Sequence, residues 1–191
     1  MAKDYPALTE HHRDFIARQK IFFCATAAAE TRVNISPRAT DWLRVLSDNA
    51  VAWLDRTGSG NESAAHQHAG GAMTMMFCAF EGPPLILRLY GRGRAIARGS
   101  GEYEELLQKQ FDGVEPIGAR QIMCLDFDLV KTSCGYGVPF FDYTGERDQM
   151  DRWAEAKGAD GLIAYRQEHN LVSMDGQPTG FVEDAAVKAA E

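Results

Sequence analysis

No stretch of this chain approaches the roughly 18 consecutive apolar residues of a membrane span. Met1–Phe15 carries charges and histidines where a secretory signal would have an apolar core. A membrane protein is therefore not expected, and a cytoplasmic location is. Positive charge is also in short supply: 20 Lys and Arg face 27 Asp and Glu, a net charge of −7. A global nucleic-acid binder would be basic, so no nucleic-acid partner is expected. The four cysteines, Cys24, Cys78, Cys124 and Cys134, form no C-x-x-C pair. Three sit in apolar runs and read as free core thiols. His66 and His68 are two apart, with no neighbouring Cys, Asp or Glu to complete a ligand set, so no metal is expected. There is no G-x-S-x-G elbow, no internal repeat and no linker-like segment.

What is present is a chain of 191 residues, 45% of them hydrophobic, enough to bury a core without disulfides. The patterning predicts six strands: Ile21–Ala27, Arg32–Ser36, Ala50–Asp55, Met73–Phe80, Leu85–Arg94 and Gln121–Val130. Pro37 is expected to end the second. Helices are predicted over Thr9–Gln19 with Thr9 as N-cap, from the Asp55–Ser63 segment to about His68, over Glu102–Phe111 and over about Arg147–Lys157. Short strands with few helices between them point to a mainly β (α+β) antiparallel barrel with flanking helices. Met73–Phe80 has no polar face, which requires a covering helix or a second subunit.

Three segments carry polar chemistry. Asp55–Ser63 (DRTGSGNES) joins a strand to a helix, and its glycines and its donors Thr57, Ser59 and Asn61 suit a phosphate. It lacks the Walker lysine and the third Rossmann glycine. A capping box between Ser59 and Glu62 explains the same residues. Asn34, Ser36 and Arg38 lie on or just after the polar face of the second strand and present an amide, a hydroxyl and a guanidinium. In the fifth strand Arg88, Tyr90, Arg92 and Arg94 share a face, a local cationic stripe or a solvated outer surface.

In order, QKIFFCATA (19–27), RVNISPR (32–38), WLDRTGSGNES (53–63), MMFCAF (75–80), ILRLYG (86–91) and SCGYGVP (133–139) resemble the pyridoxamine 5′-phosphate oxidase-related, FMN-binding split-barrel family. The resemblance spans about Thr9 to Gly180. It implies one six-stranded split-barrel domain over 1–191 (with loosely ordered tails at 1–8 and 181–191) and a homodimer with FMN at its interface. It implies an oxidoreductase acting on a small molecule, or else a non-catalytic flavin-binding or sensor module. Carried over, the cofactor residues are Asn34, Ser36, Arg38, Thr57, Ser59, Asn61 and Glu62. Arg88 is added from the cationic stripe, and Arg120, Gln121 and Tyr136 are candidates to complete the partner's site. The better-known oxidases carry an Arg-Lys pair in the loop after strand three. Here Gly60–Asn61 stands at that place, which leaves the positive charge to Arg38, Arg56 or the stripe. They also end in an arginine-containing substrate segment, whereas Glu183–Glu191 holds only Lys188. Vitamin B6 oxidation is therefore not the expected activity.

Overall fold

The structure is a computed structural model that describes residues 2–182. Eight strands form one antiparallel sheet: β1 (Lys3–Tyr5), β2 (Ile21–Ala27), β3 (Asn34–Ala39), β4 (Leu43–Val45), β5 (Ala50–Arg56), β6 (Ala72–Cys78), β7 (Ile86–Ala97) and β8 (Ala119–Ser133). Their order is β3-β2-β6-β7-β8-β5-β4, with β1 added beside β8. The long β8 gives residues 119–126 to β5 and residues 130–132 to β1, while β7 runs along its other edge. Around this curled half-barrel lie α1 (Glu10–Arg18), α2 (Glu62–His68), α3 (Gly101–Gln110) and α4 (Gln149–His169). At Gly158, α4 breaks with φ 66° and ψ 176°, so it is two helices in line.

The six expected strands and four helices are all present, with shifted ends. β1 and β4 are additional, because three-residue strands leave no periodic pattern to read. β1 also corrects the expected loose tail at 1–8: Lys3, Asp4 and Tyr5 stand opposite Thr132, Lys131 and Val130. The expected tail at 181–191 lies outside the described residues beyond 182. Pro37 does not end its strand. It sits within β3 opposite Phe23, on the sheet's edge strand, where a missing N–H is tolerated. Thr9 caps α1, accepting from His12 N–H at 3.4 Å while His12 Nδ1 accepts from Thr9 N–H at 3.2 Å.

Alternation along the strands builds two cores. Inside the curl pack Phe22, Cys24, Val51, Trp53, Met73, Met75, Phe77, Leu87, Leu89, Met123 and Leu125. Outside it, α3 covers Ala52, Leu54, Ile96, Ile122 and Cys124 with Tyr103, Leu107 and Phe111. β5 is thus buried on both faces. Met73, Met75 and Phe77 of β6 point inward, while Thr74 and Met76 on its other face are half-buried. Direct register aligns Pro37, Phe23, Met76 and Arg88 across that outer face, with Ile35, Ala25, Thr74 and Tyr90 in the next row. Ile35 is 64% exposed and Val33, from the same alternating segment, is 67% exposed.

Candidate functional site

β3 and β5 lie far apart in the strand order, so no backbone ladder joins them. Side chains close the gap. Arg38 stands opposite Phe22 on the inner face, with Ser36 opposite Cys24 and Asn34 opposite Thr26. Asp55 follows Val51 and Trp53 on the inner face of β5, opposite Gln121 of β8. Arg38 Nη1 donates to Asp55 Oδ1 at 2.5 Å, and its guanidinium lies 5.6 Å from the Trp53 ring centroid. Arg120 Nε and Gln121 Nε2 donate to Asp55 Oδ2 at 2.8 and 2.7 Å. Burial would raise the Asp55 pKa, but Arg120, Arg38 and Gln121 outweigh it and hold the carboxyl at about 2. Two guanidiniums share one carboxylate where the barrel is split, and the Glu62 carboxylate lies on the same cleft as both arginines.

Above this knot is a small cleft lined by Asn34, Ser36, Arg38, Gly60, Asn61, Glu62, Ser63 and Arg120. Asn34 Nδ2 donates to Ser36 Oγ at 3.2 Å and to Ser63 Oγ at 3.3 Å. Arg38 Nε is buried without a hydrogen-bond partner. Such a donor costs about 1–3 kcal/mol unless something accepts from it. Donors of amide, hydroxyl and guanidinium type and an orphaned N–H fit the phosphate of a mononucleotide cofactor. The Glu62 carboxylate folds back over Gly60, where an added Cβ would meet its Oε2 at 2.3 Å. Being an acceptor, it suits a hydroxyl or N–H of a ligand rather than the phosphate. Cys24, beneath Ser36, has its thiol pushed by burial up to about 11, so it stays protonated and unreactive.

The loop after β5 is held from below. Arg120 Nη1 donates to Gly60 O at 3.0 Å and to Asn170 Oδ1 at 2.8 Å, and Asn170 Nδ2 donates to Gly58 O at 3.0 Å. Thr57 Oγ1 donates to Gly118 O at 2.9 Å and accepts from Arg166 Nη1 at 3.3 Å. Gln121 Nε2 also donates to Asn61 Oδ1 at 2.8 Å. The N-cap of α2 is Asn61, without a side-chain cap hydrogen bond, so the capping box between Ser59 and Glu62 does not form.

The structure therefore gathers Asn34, Ser36, Arg38, Asn61, Glu62 and Arg120 around one cleft, with Gln121 buried beside Asp55, while Thr57 lines an adjoining groove. Arg120 and Gln121 stand beside Asp55 of their own chain. Ser59 lines an adjoining groove instead of the cleft. Tyr136 is 82% exposed and lies outside the cleft of its own chain. The arginine stripe disperses. Arg88 donates to Ser133 Oγ at 3.0 Å on the outer face, Arg92 donates to Gly70 O, and Arg94 pairs with Glu102 of α3 at 2.6 Å. Arg56 is taken by Asp151. The guanidiniums that do line the cleft are those of Arg38 and Arg120. His66 is buried against Thr26 Oγ1 at 2.9 Å, and among the described residues no group of three His, Cys, Asp or Glu is placed to hold a metal.

Asp55, Arg166 and Asn170 were not singled out in the sequence. Asp55 was visible as a lone carboxylate ending an apolar strand, a position that demands a buried partner. Nothing local marks Arg166 or Asn170, which reach the loop only through the packing of α4.

Residues 8–134 match the profile of the pyridoxamine 5′-phosphate oxidase family. The chain is 34% identical over 191 residues to the pyridoxamine 5′-phosphate oxidase family protein ustO of Aspergillus flavus, covering 91% of this chain and 76% of that protein. Among solved structures, it resembles a candidate pyridoxamine 5′-phosphate oxidase of Lactobacillus delbrueckii, with TM-score 0.51 and 15% identity over 66% of this chain and 94% of that one. It also resembles a variant of the HupZ protein of Group A Streptococcus, with TM-score 0.52 and 17% identity over 65% and 98% of the two chains. At these identities the solved structures share the split half-barrel. Arg166 and Asn170 fall beyond the matched residues 8–134.

Proposed function

The chain belongs to the pyridoxamine 5′-phosphate oxidase family, and on that premise we propose that it is an FMN-dependent oxidoreductase acting on a small molecule. The observation that carries the reading is the Arg38–Asp55–Arg120 knot under a rim of Asn34, Ser36 and Ser63, with Arg38 Nε unpartnered. Arg38 holds the flavin phosphate, and Asn34, Ser36 and Ser63 hydrogen-bond to it. Arg120 and Gln121 fix Asp55, which in turn fixes the Arg38 fork. Thr57 and Asn61 set the loop, and Ser59 and Glu62 face the rest of the cofactor. Bound flavin would supply the hydride or electron transfer itself, so no general base is assigned.

The working form is a homodimer. The row Phe23, Met76 and Pro37 with Ile35 beside it is a partly exposed apolar sheet face, a surface suited to a second copy. Arg88 lies on that face and would be brought to the site only by the dimer. Of the four free cysteines, three are buried, and such thiols suit a reducing, cytoplasmic compartment. No helix among the described residues is long and apolar enough to cross a membrane.

Purified protein is expected to be yellow and to release FMN on denaturation. A colourless protein that takes up no added FMN overturns the reading. Stopped-flow reduction of the bound flavin by NADH or NADPH faster than that of free FMN supports turnover. Reduction by neither faster than free FMN leaves a flavin-binding module.

A further inference from the structure

All three tryptophans of the chain, Trp42, Trp53 and Trp153, line a single groove of about 1850 Å³ beside the cleft. The barrel forms one wall. The facing wall includes Phe141, Tyr143, Trp153 and Tyr165, which lie outside the family-matched residues 8–134. This wall is already ordered. Trp153 and Tyr165 meet edge to face at 5.0 Å, Phe141 meets Phe80 at 5.4 Å, and Phe141 N–H donates to Phe80 O at 3.2 Å. Arg56 ties the wall to the barrel through Asp151.

Three properties define what fits. Flat aromatic side chains on both walls favour a flat aromatic guest. Trp53 Nε1 is buried without a hydrogen-bond partner, a neutral donor lacking an acceptor. Five basic and five acidic side chains line the groove, so its field favours neither sign. A single small ligand usually occupies roughly 300–1,000 Å³, so the groove has room for a second molecule beside a cofactor held at Arg38 and Ser59.

We propose that this groove binds a neutral, planar aromatic molecule carrying a hydrogen-bond-accepting oxygen, which Trp53 Nε1 meets and which Trp42 and Trp153 flank. That this guest is the substrate rests on the flavin reading; that it binds does not. The wall contributed by Phe141–Tyr165 then sets which aromatic is chosen, because it is the part of the groove that the family profile does not supply.

The test uses the full chain with ¹⁵N-labelled tryptophan, whose three indole N–H signals are assigned with Trp→Phe variants. Coumarin, planar and neutral with a lactone carbonyl, is the probe. Saturable binding should move all three signals, with Trp53 shifting furthest downfield. Trp153→Ala should weaken binding at least tenfold, with the fold checked by circular dichroism. Trp53→Phe should weaken it several-fold. Movement of one signal alone, unchanged binding by Trp153→Ala, or equal binding of non-aromatic δ-valerolactone overturns the proposal. Binding of coumarin-3-carboxylate at least tenfold tighter than coumarin overturns the neutral class. FMN uptake is measured separately on the same samples. Coumarin binding without FMN uptake supports the groove and overturns only the flavin reading, while FMN uptake without coumarin binding does the reverse.

Discussion

Asp55 and Arg120 meet at 2.8 Å with 1% and 3% of their side chains exposed, and this buried pair underlies the whole candidate site. Removing one partner of such a pair leaves the other charge buried and uncompensated. Asp55→Asn should destabilise the protein by about 3–5 kcal/mol. It should also loosen Arg38, because a neutral amide oxygen replaces the carboxylate that accepts from the Arg38 fork. Urea denaturation checks the first effect and FMN titration the second. A stability change below about 1 kcal/mol would show that the knot is better solvated than its burial implies.

The same carboxylate sets an acid limit. Its pKa falls from 3.8 in the unfolded chain to about 2 in the fold. A depressed folded pKa contributes stability above the unfolded value, lost as pH falls from about 4 toward 2. The shift corresponds to about 2 kcal/mol. Unfolding free energies measured by urea between pH 5 and pH 2 should show this loss, and Asp55→Asn should remove that part of the slope.

Arg38→Ala should weaken FMN binding by roughly tenfold to a hundredfold, the range expected for one charge-assisted hydrogen-bonded contact. Arg38→Lys should recover only part of it, because a point charge cannot replace the fork that spans Asp55 and the cleft. Equilibrium titration of FMN into the apoprotein measures both.

Gly91 faces Phe127 at the bulge where β7 and β8 change register. A Cβ there would come within 1.9 Å of Asp126 O and 2.6 Å of Phe127 Cα. These are backbone atoms that cannot rotate away. Gly91→Ala should cost about 3 kcal/mol by overpacking, read as a lowered urea midpoint. Gly137→Ala, with open space around it, serves as the control.

Met76→Asp places a charge on the outer face of β6, where Met76 sits between Phe23 and Arg88. In a dimer joined through that face, light scattering should report the monomer mass for this variant and twice that mass for the parent. A parent protein at monomer mass would remove the dimer.

Much of this was legible along the chain, for reasons that are local. Strict alternation in 32–36 put Asn34 and Ser36 on one face and Val33 and Ile35 on the other. The structure keeps that division while turning the polar face inward and the apolar face to solvent. Burial is set by what lies opposite, and no strand carries that information about its neighbour. Arg88, Arg92 and Arg94 share a face by count, yet their partners Ser133, Gly70 and Glu102 lie in three separate parts of the chain, so the apparent stripe does not converge on one ligand. The pairing of Arg38 with Asp55 was hidden for a related reason: the residues are linked by the curl of the sheet, across strands that share no ladder. Asn170 lay furthest from view, because its role depends on where a kinked helix ends.

The pairing of Lys3 with Thr132 orders events during synthesis. β1 has its docking edge on β8, so it must wait until the ribosome has passed residue 132. At about 5–20 residues per second, that delay is on the order of ten seconds. During it the N-terminal segment has no native place in the sheet, and α1 can cap and coil while the strand before it stays unclaimed. An affinity tag fused ahead of Lys3 would sit on a piece of chain whose docking depends on β8.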